Sequence, residues 1–252
     1  MIDEPFADAT SILQRIDPRV KIVAATACSF TTALCYAFPT LIFSLAISVG
    51  IICIAGVNLW QVLKRLAIVN AFIFFLWIML PLTYGGKAIY AVGPVKLYLP
   101  GIILAARITL KSNAILLVLI GLVATMSSAT LGHALNRLKM PEKLVFLLLL
   151  TYRYIFVIQQ EYQKIIRSIK IRGFTPKTNL HTYKTFAYVV GMLLIRAAER
   201  ADRVYNAMRC RGFKGKYNSL SDFQINIQSL IFISIMTGLT IGMIFLEISY
   251  HG

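Results

Sequence analysis

Five stretches of this 252-residue chain, at about 20–38, 40–57, 66–84, 101–126 and 224–246, are apolar across the roughly 20 residues that a helix needs to cross about 30 Å of hydrocarbon. Lipid offers the backbone no water, so each crossing has to satisfy its own amides and be helical. The spacing therefore predicts an all-α membrane protein with about five transmembrane helices. Composition agrees: with 58% hydrophobic residues, 14% charged and a mean hydropathy of +0.73, the chain has more apolar surface than a soluble domain of this length can bury.

The net charge of +16 would by itself suggest nucleic acid, but its distribution argues otherwise. Residues 133–216 hold 17 of the 26 Lys and Arg against four acids, Glu142, Glu161, Glu199 and Asp202, which puts +13 in one third of the chain. Arg15, Arg19 and Lys21 precede the first apolar window, and Lys64 and Arg65 follow the second. The positive-inside bias then predicts a cytoplasmic N-terminus, a cytoplasmic basic third and His251-Gly252 outside. Residues 85–100 read as an outer loop, and the acidic start Met1-Ile2-Asp3-Glu4-Pro5 is not that of a cleavable signal peptide. Three regions result: transmembrane helices in 1–139, a cytoplasmic domain in 140–221 and a last transmembrane helix in 222–252.

From Pro141 nothing breaks a helix before Gly173, about 48 Å at 1.5 Å per residue. Its first half, 144–158, is apolar but carries Arg153, and it is expected to lie along the membrane surface rather than to cross. Its second half places Tyr162, Ile165, Ile166 and Ile169 on one face, with Glu161, Lys164, Arg167 and Lys170 opposite. After Thr175-Pro176 a second run, about 181–211, sets Ala197, Ala201, Val204, Tyr205 and Met208 against Arg196, Arg200 and Arg203.

Both runs end alike, in Ile171-Arg172-Gly173-Phe174 and in Cys210-Arg211-Gly212-Phe213, and they superimpose with an offset of 39 residues that also brings Lys164 onto Arg203. Glycine just past a helix, followed by an apolar residue packing back on the last turn, is the Schellman stop, so helix termination accounts for Gly and Phe. It leaves Arg172 and Arg211 as two rigidly mounted guanidinium groups able to present a planar fork to a carboxylate or a helix end. Two knobs imply two sockets, as a symmetric pair of ATPase domains would supply.

These residues, with Ser11 to Ile22 (SILQRIDPRVKI), Leu135 to Pro141 (LNRLKMP) and Tyr152-Arg153-Tyr154, resemble the transmembrane T component of energy-coupling-factor transporters, and within it the cobalt-type branch, CbiQ. Ile171 and Cys210 stand where the family's Ala-Arg-Gly signatures have alanine. The resemblance implies a non-catalytic scaffold in a bacterial or archaeal cell membrane. Arg172 and Arg211 would insert into two cytoplasmic ABC-type ATPase subunits, with Gly173 and Gly212 permitting close approach and Ile171, Phe174, Cys210, Phe213 and Arg203 in support. The membrane part would hold a separate substrate-binding S component, for cobalt or else for nickel or a vitamin.

Other functions find little support. The chain has no G-x-x-x-x-G-K-[ST] loop for nucleotide phosphates. His133, His181 and His251 are too scattered for a metal site, and no cofactor is expected. Cys28, Cys35, Cys53 and Cys210 have no metal or redox spacing. Binding of anionic lipid by clustered charge remains an alternative, but it leaves the duplicated tips unexplained.

Overall fold

Asp17 and Pro18 start the first helix as their chemistry dictates: the Asp17 carboxylate accepts the Arg19 N–H at 2.9 Å, and Pro18 takes the first turn, where no amide partner is needed. A computed structural model describes residues 16–85, 88–92, 95–213 and 226–251. Its helices are α1 (Pro18–Leu34), α2 (Phe38–Ala55), α3 (Leu59–Thr83), α4 (Leu99–Leu122), α5 (Ser128–Arg137), α6 (Glu142–Ile171), α7 (Leu180–Cys210) and α8 (Ile227–His251). A short antiparallel hairpin, β1 (Ala88–Val92) and β2 (Val95–Tyr98), lies between α3 and α4. The described residues divide into two compact units, 16–131 with 226–251, and 132–213.

In the first unit α4 packs on α1, α2 and α3, and α8 closes against α1 and α2. Small residues set the spacing. A Cβ on Gly121 would stand 2.7 Å from Ile51 Cγ2, so α2 and α4 approach more closely there than any side chain on α4 would allow. Ala24, Ala25, Cys28, Ile52, Leu117, Leu122 and Met236 fill the shared core. The outer faces of α3 and α8 expose Ile68, Phe72, Phe74 and Phe245, as helices bordered by hydrocarbon do.

The corner between α1 and α2 is held by charges from distant parts of the chain. Ala37, the residue that precedes α2, has no side-chain oxygen with which to cap it. The Glu247 carboxylate of α8 takes that role, accepting the Tyr36 N–H at 2.6 Å and the Ala37 N–H at 3.1 Å. Lys111 of α4 donates to the Ala33 carbonyl at 2.7 Å, while its ammonium lies 4.0 Å from the centre of the Tyr36 ring. Arg107 sits over the Phe38 ring at 5.3 Å. Glu247→Ala should therefore lower the stability of the purified chain by about 1–3 kcal/mol, the cost of orphaning these amides. Thermal unfolding in detergent reads this as a lower midpoint, and Glu247→Gln, which keeps a carbonyl acceptor, should lose less.

Several boundaries differ from those expected. α3 begins at Leu59, not near residue 66, because Asn58 Oδ1 accepts the Trp60 N–H at 3.2 Å and starts the helix ahead of its apolar run. Lys64 and Arg65 are thus inside α3. β1 and β2, in a region expected as loop, pair antiparallel, and β2 leads directly into α4. Among the described residues, five helices are long and apolar enough to cross a membrane: α2, α3, α4, α6 and α8. The expected set had the first helix in place of α6. α1 has only 17 residues, because the Cys35–Ala37 corner cuts it short, whereas α6 qualifies through its apolar first half.

Candidate functional site

The second unit is built on α6 and α7, two unbroken helices of 30 and 31 residues, each about 45 Å long. They run antiparallel. The turn between them closes where the Lys177 N–H donates to Thr182 Oγ1 at 3.1 Å. Ile165 of the α6 stripe is buried, and α7 presents Ala197, Ala201, Val204, Tyr205 and Met208 to a groove whose other wall includes Phe146, Tyr154 and Ile158 of α6. The groove has a volume of about 450 Å³.

Both helix ends are complete Schellman motifs. At the first, the Gly173 N–H donates to the Lys170 carbonyl at 3.0 Å and the Phe174 N–H to the Ile169 carbonyl at 3.2 Å. At the second, the Gly212 N–H reaches Arg209 at 3.0 Å and the Phe213 N–H reaches Met208 at 3.0 Å. Gly173 and Gly212 have φ of +82° and +77°, a conformation that costs any residue with a Cβ. No atom would lie within 4 Å of a Cβ at either, so the requirement within this chain is conformational rather than steric. Gly173→Ala or Gly212→Ala should cost about 1 kcal/mol, read as an approximately fivefold loss of hydrogen-exchange protection at the Phe174 or Phe213 amide.

Each tip is anchored on the opposite helix. Phe174 meets Phe186 of α7 edge-on at 6.1 Å and lies 6.2 Å from the ring of His181, which is exposed. Phe213 stacks on Phe146 of α6 at 5.3 Å. Arg172 and Arg211 cap their helices and are exposed; their backbone N–H groups bond back into the last turn, and among the described residues neither side chain has a hydrogen-bond or ion-pair partner. Ile171, at 87% exposure, and Cys210 are also uncovered. Arg203, by contrast, pairs with Glu199 at 3.7 Å on the outer face of α7, an i,i+4 contact evident from the residue spacing.

The contact between the helices reveals what the duplication means in space. At their crossing, six of the seven residues around a small cavity come in pairs separated by the same 39 positions: Val157 with Arg196, Ile158 with Ala197, and Glu161 with Arg200; Leu193 is the seventh. Equivalent residues that meet are the mark of a two-fold axis, here a pseudo-two-fold through the crossing. Glu161 is the residue that sequence reasoning left unassigned. Its Oε2 accepts from Arg196 Nη1 at 3.0 Å, and its Oε1 from Arg200 Nη2 at 3.3 Å and Lys164 Nζ at 3.2 Å. The offset that aligned the tips also placed an acid opposite a base, which was the available signal.

Among the described residues no group of three or more His, Cys, Asp or Glu could hold a metal ion. The sequence model of the CbiQ family, described as cobalt transport protein, matches residues 9–221. The energy-coupling factor transporter transmembrane protein EcfT of Bacillus subtilis (strain 168) is 26% identical, over 85% of this chain and 85% of its own length. EcfT of Staphylococcus aureus (strain 04-02981) is 26% identical, over 98% of this chain and 96% of its own. The cobalt transport protein CbiQ of Rhodobacter capsulatus is 29% identical, over 46% of this chain and 48% of its own. A match over most of the chain, joined to a helical membrane bundle and twin helix tips, leads to one conclusion: the chain belongs to the CbiQ family and is an EcfT/CbiQ-type T component, a multi-pass membrane component of an energy-coupling factor transporter.

Proposed function

We propose that the chain is the non-catalytic coupling scaffold of an ATP-driven importer, gripping two cytoplasmic ABC-type ATPase subunits through Arg172 and Arg211. The observation that carries this reading is the pair of exposed guanidinium ends related by the pseudo-two-fold of α6 and α7. A partner with two like sockets about its own axis meets such a pair, and a single socket leaves one arginine idle. The unit 132–213 is then the cytoplasmic part, with the apolar first half of α6 lying along the membrane surface rather than crossing it, and the N-terminus lies on the same side. The membrane helices hold the substrate-binding S component, and movement of the ATPases on nucleotide binding and hydrolysis reaches it through α6 and α7. Gly173 and Gly212 keep each tip narrow enough to enter a groove, since no Cβ widens it.

Cobalt is the substrate this reading favours, because the family model bears that description. The relatives matched along most of their length carry the general name EcfT, which supports a second reading: a shared T component serving S components for vitamins or nickel. Membrane vesicles holding the chain, its ATPases and its substrate subunit decide between them. Co²⁺ uptake that requires ATP and all three components is the expected result. Uptake of a vitamin or of Ni²⁺ but not of Co²⁺ would select the second reading, and uptake with the ATPases left out would overturn the scaffold itself.

A further inference from the structure

Glu161 is placed where a crossing angle is set. It belongs to α6, and two of the three cations it binds belong to α7, so its carboxylate joins the helices through a two-oxygen fork at 3.0 and 3.3 Å. Its side chain is only 16% exposed although it lies on a charged face. Eleven residues separate Glu161 from Arg172, and eleven separate Arg200 from Arg211. Each arginine tip thus lies about 16 Å of helix from the same ion pair.

The neighbouring contacts are apolar or aromatic. Val157, Ile158, Leu193 and Ala197 line the small cavity at the crossing with apolar surface, which favours burial in any orientation. The groove beside them stays open, and the contacts near the helix ends, Phe146 with Phe213 and Phe174 with Phe186, are between aromatic rings. Directional bonding at the crossing comes from Glu161 with Arg196 and Arg200. The lever arms make this matter: a rotation of roughly 15° about the crossing moves a tip 16 Å away by about 4 Å, more than a hydrogen bond to a socket can follow.

We propose that Glu161 is a positioning residue that fixes the angle between α6 and α7 and thereby the direction in which Arg172 and Arg211 project; this rests on the reading of those arginines as the grip on two ATPases. The same lock would hold the angle when one tip is pushed, so that the push reaches the other helix instead of dissipating at the crossing.

The test uses the full chain in lipid nanodiscs, with Cys28, Cys35 and Cys53 replaced by alanine and spin labels at Leu144→Cys and at the native Cys210, both exposed and on the same side of the crossing. Double electron–electron resonance should give one narrow distance in this parent chain. In Glu161→Gln the peak should move or broaden by about 4 Å while the unfolding temperature falls only slightly, as expected for a partly exposed ion pair. Glu161→Asp, which keeps the charge but loses reach, should fall between the two. An unchanged distance in Glu161→Gln overturns the proposal. Should that variant not fold, Arg196→Gln with Arg200→Gln breaks the same contact from α7 and is judged by the same shift. A moved peak in a chain whose tips prove not to bind ATPases would leave the lock in place and remove only its partner.

Discussion

Reversing both tip charges, Arg172→Glu with Arg211→Glu, should strip the chain of its ATPase partners. A charge-assisted hydrogen bond contributes about 1.5–3 kcal/mol, so losing one at each tip lowers affinity by roughly 10²- to 10⁴-fold before repulsion is counted. Folding should be largely spared. The helix stops rest on Gly173, Gly212 and the backbone bonds of Phe174 and Phe213, and neither arginine side chain has a hydrogen-bond or ion-pair partner among the described residues. An acid at a helix C-terminus costs about 0.3–1 kcal/mol through the dipole, so Arg172→Gln with Arg211→Gln serves as a control free of that penalty. Arg172→Lys with Arg211→Lys keeps the charge without the planar fork and should bind at an intermediate level. Co-purification of the ATPase pair in detergent at wild-type yield from the double Glu variant would refute the assignment of the tips.

The largest loss of stability is expected at a glycine in the membrane unit. A Cβ on Gly101, in the first turn of α4, would lie 2.5 Å from the Leu80 carbonyl oxygen and 2.8 Å from Pro81 Cα. Both are backbone atoms of α3, so no side chain can rotate away, and the two helices have to separate. Gly101→Leu should therefore cost about 3 kcal/mol or more, at the upper end of overpacking effects. The midpoint of thermal unfolding in detergent would drop sharply or the protein would fail to accumulate. Gly50→Ala is the contrast. Nothing lies within 4 Å of a Cβ there, and alanine favours a helix interior, so that variant should be neutral or slightly more stable. Equal behaviour of the two variants would contradict the close approach of α3 and α4.

The sequence was most legible where structure is local. The Arg-Gly-Phe endings announced both Schellman stops, because each depends on residues within one or two turns. The length of α6 followed from the absence of a breaker between Pro141 and Gly173, and that of α7 from the Thr175-Pro176 turn before it and Gly212 after it. Hydropathy windows failed at the ends of helices, since Asn58 starts α3 by a hydrogen bond that apolarity does not register. The α1–α2 corner was out of reach for a different reason. Glu247 caps an amide 210 residues away, and Lys111 reaches a carbonyl 78 residues away, pairings that no local pattern encodes. Glu161 lay between these cases: the offset of 39 residues was visible, but an acid aligned with a base becomes a contact only when two antiparallel helices cross at that position.

The central claim is that one chain holds two ATPases, one on each arginine tip. Benzophenone groups on Ile171→Cys and on Cys210, in a chain whose Cys28, Cys35 and Cys53 are alanine, can be photolysed in the assembled transporter and the products weighed by mass spectrometry. The expected product from the doubly labelled chain is the 28.2 kDa polypeptide joined to two ATPase subunits, with one subunit captured from each position alone. A doubly labelled chain that captures one ATPase at most, or captures none while the complex is intact, would contradict it.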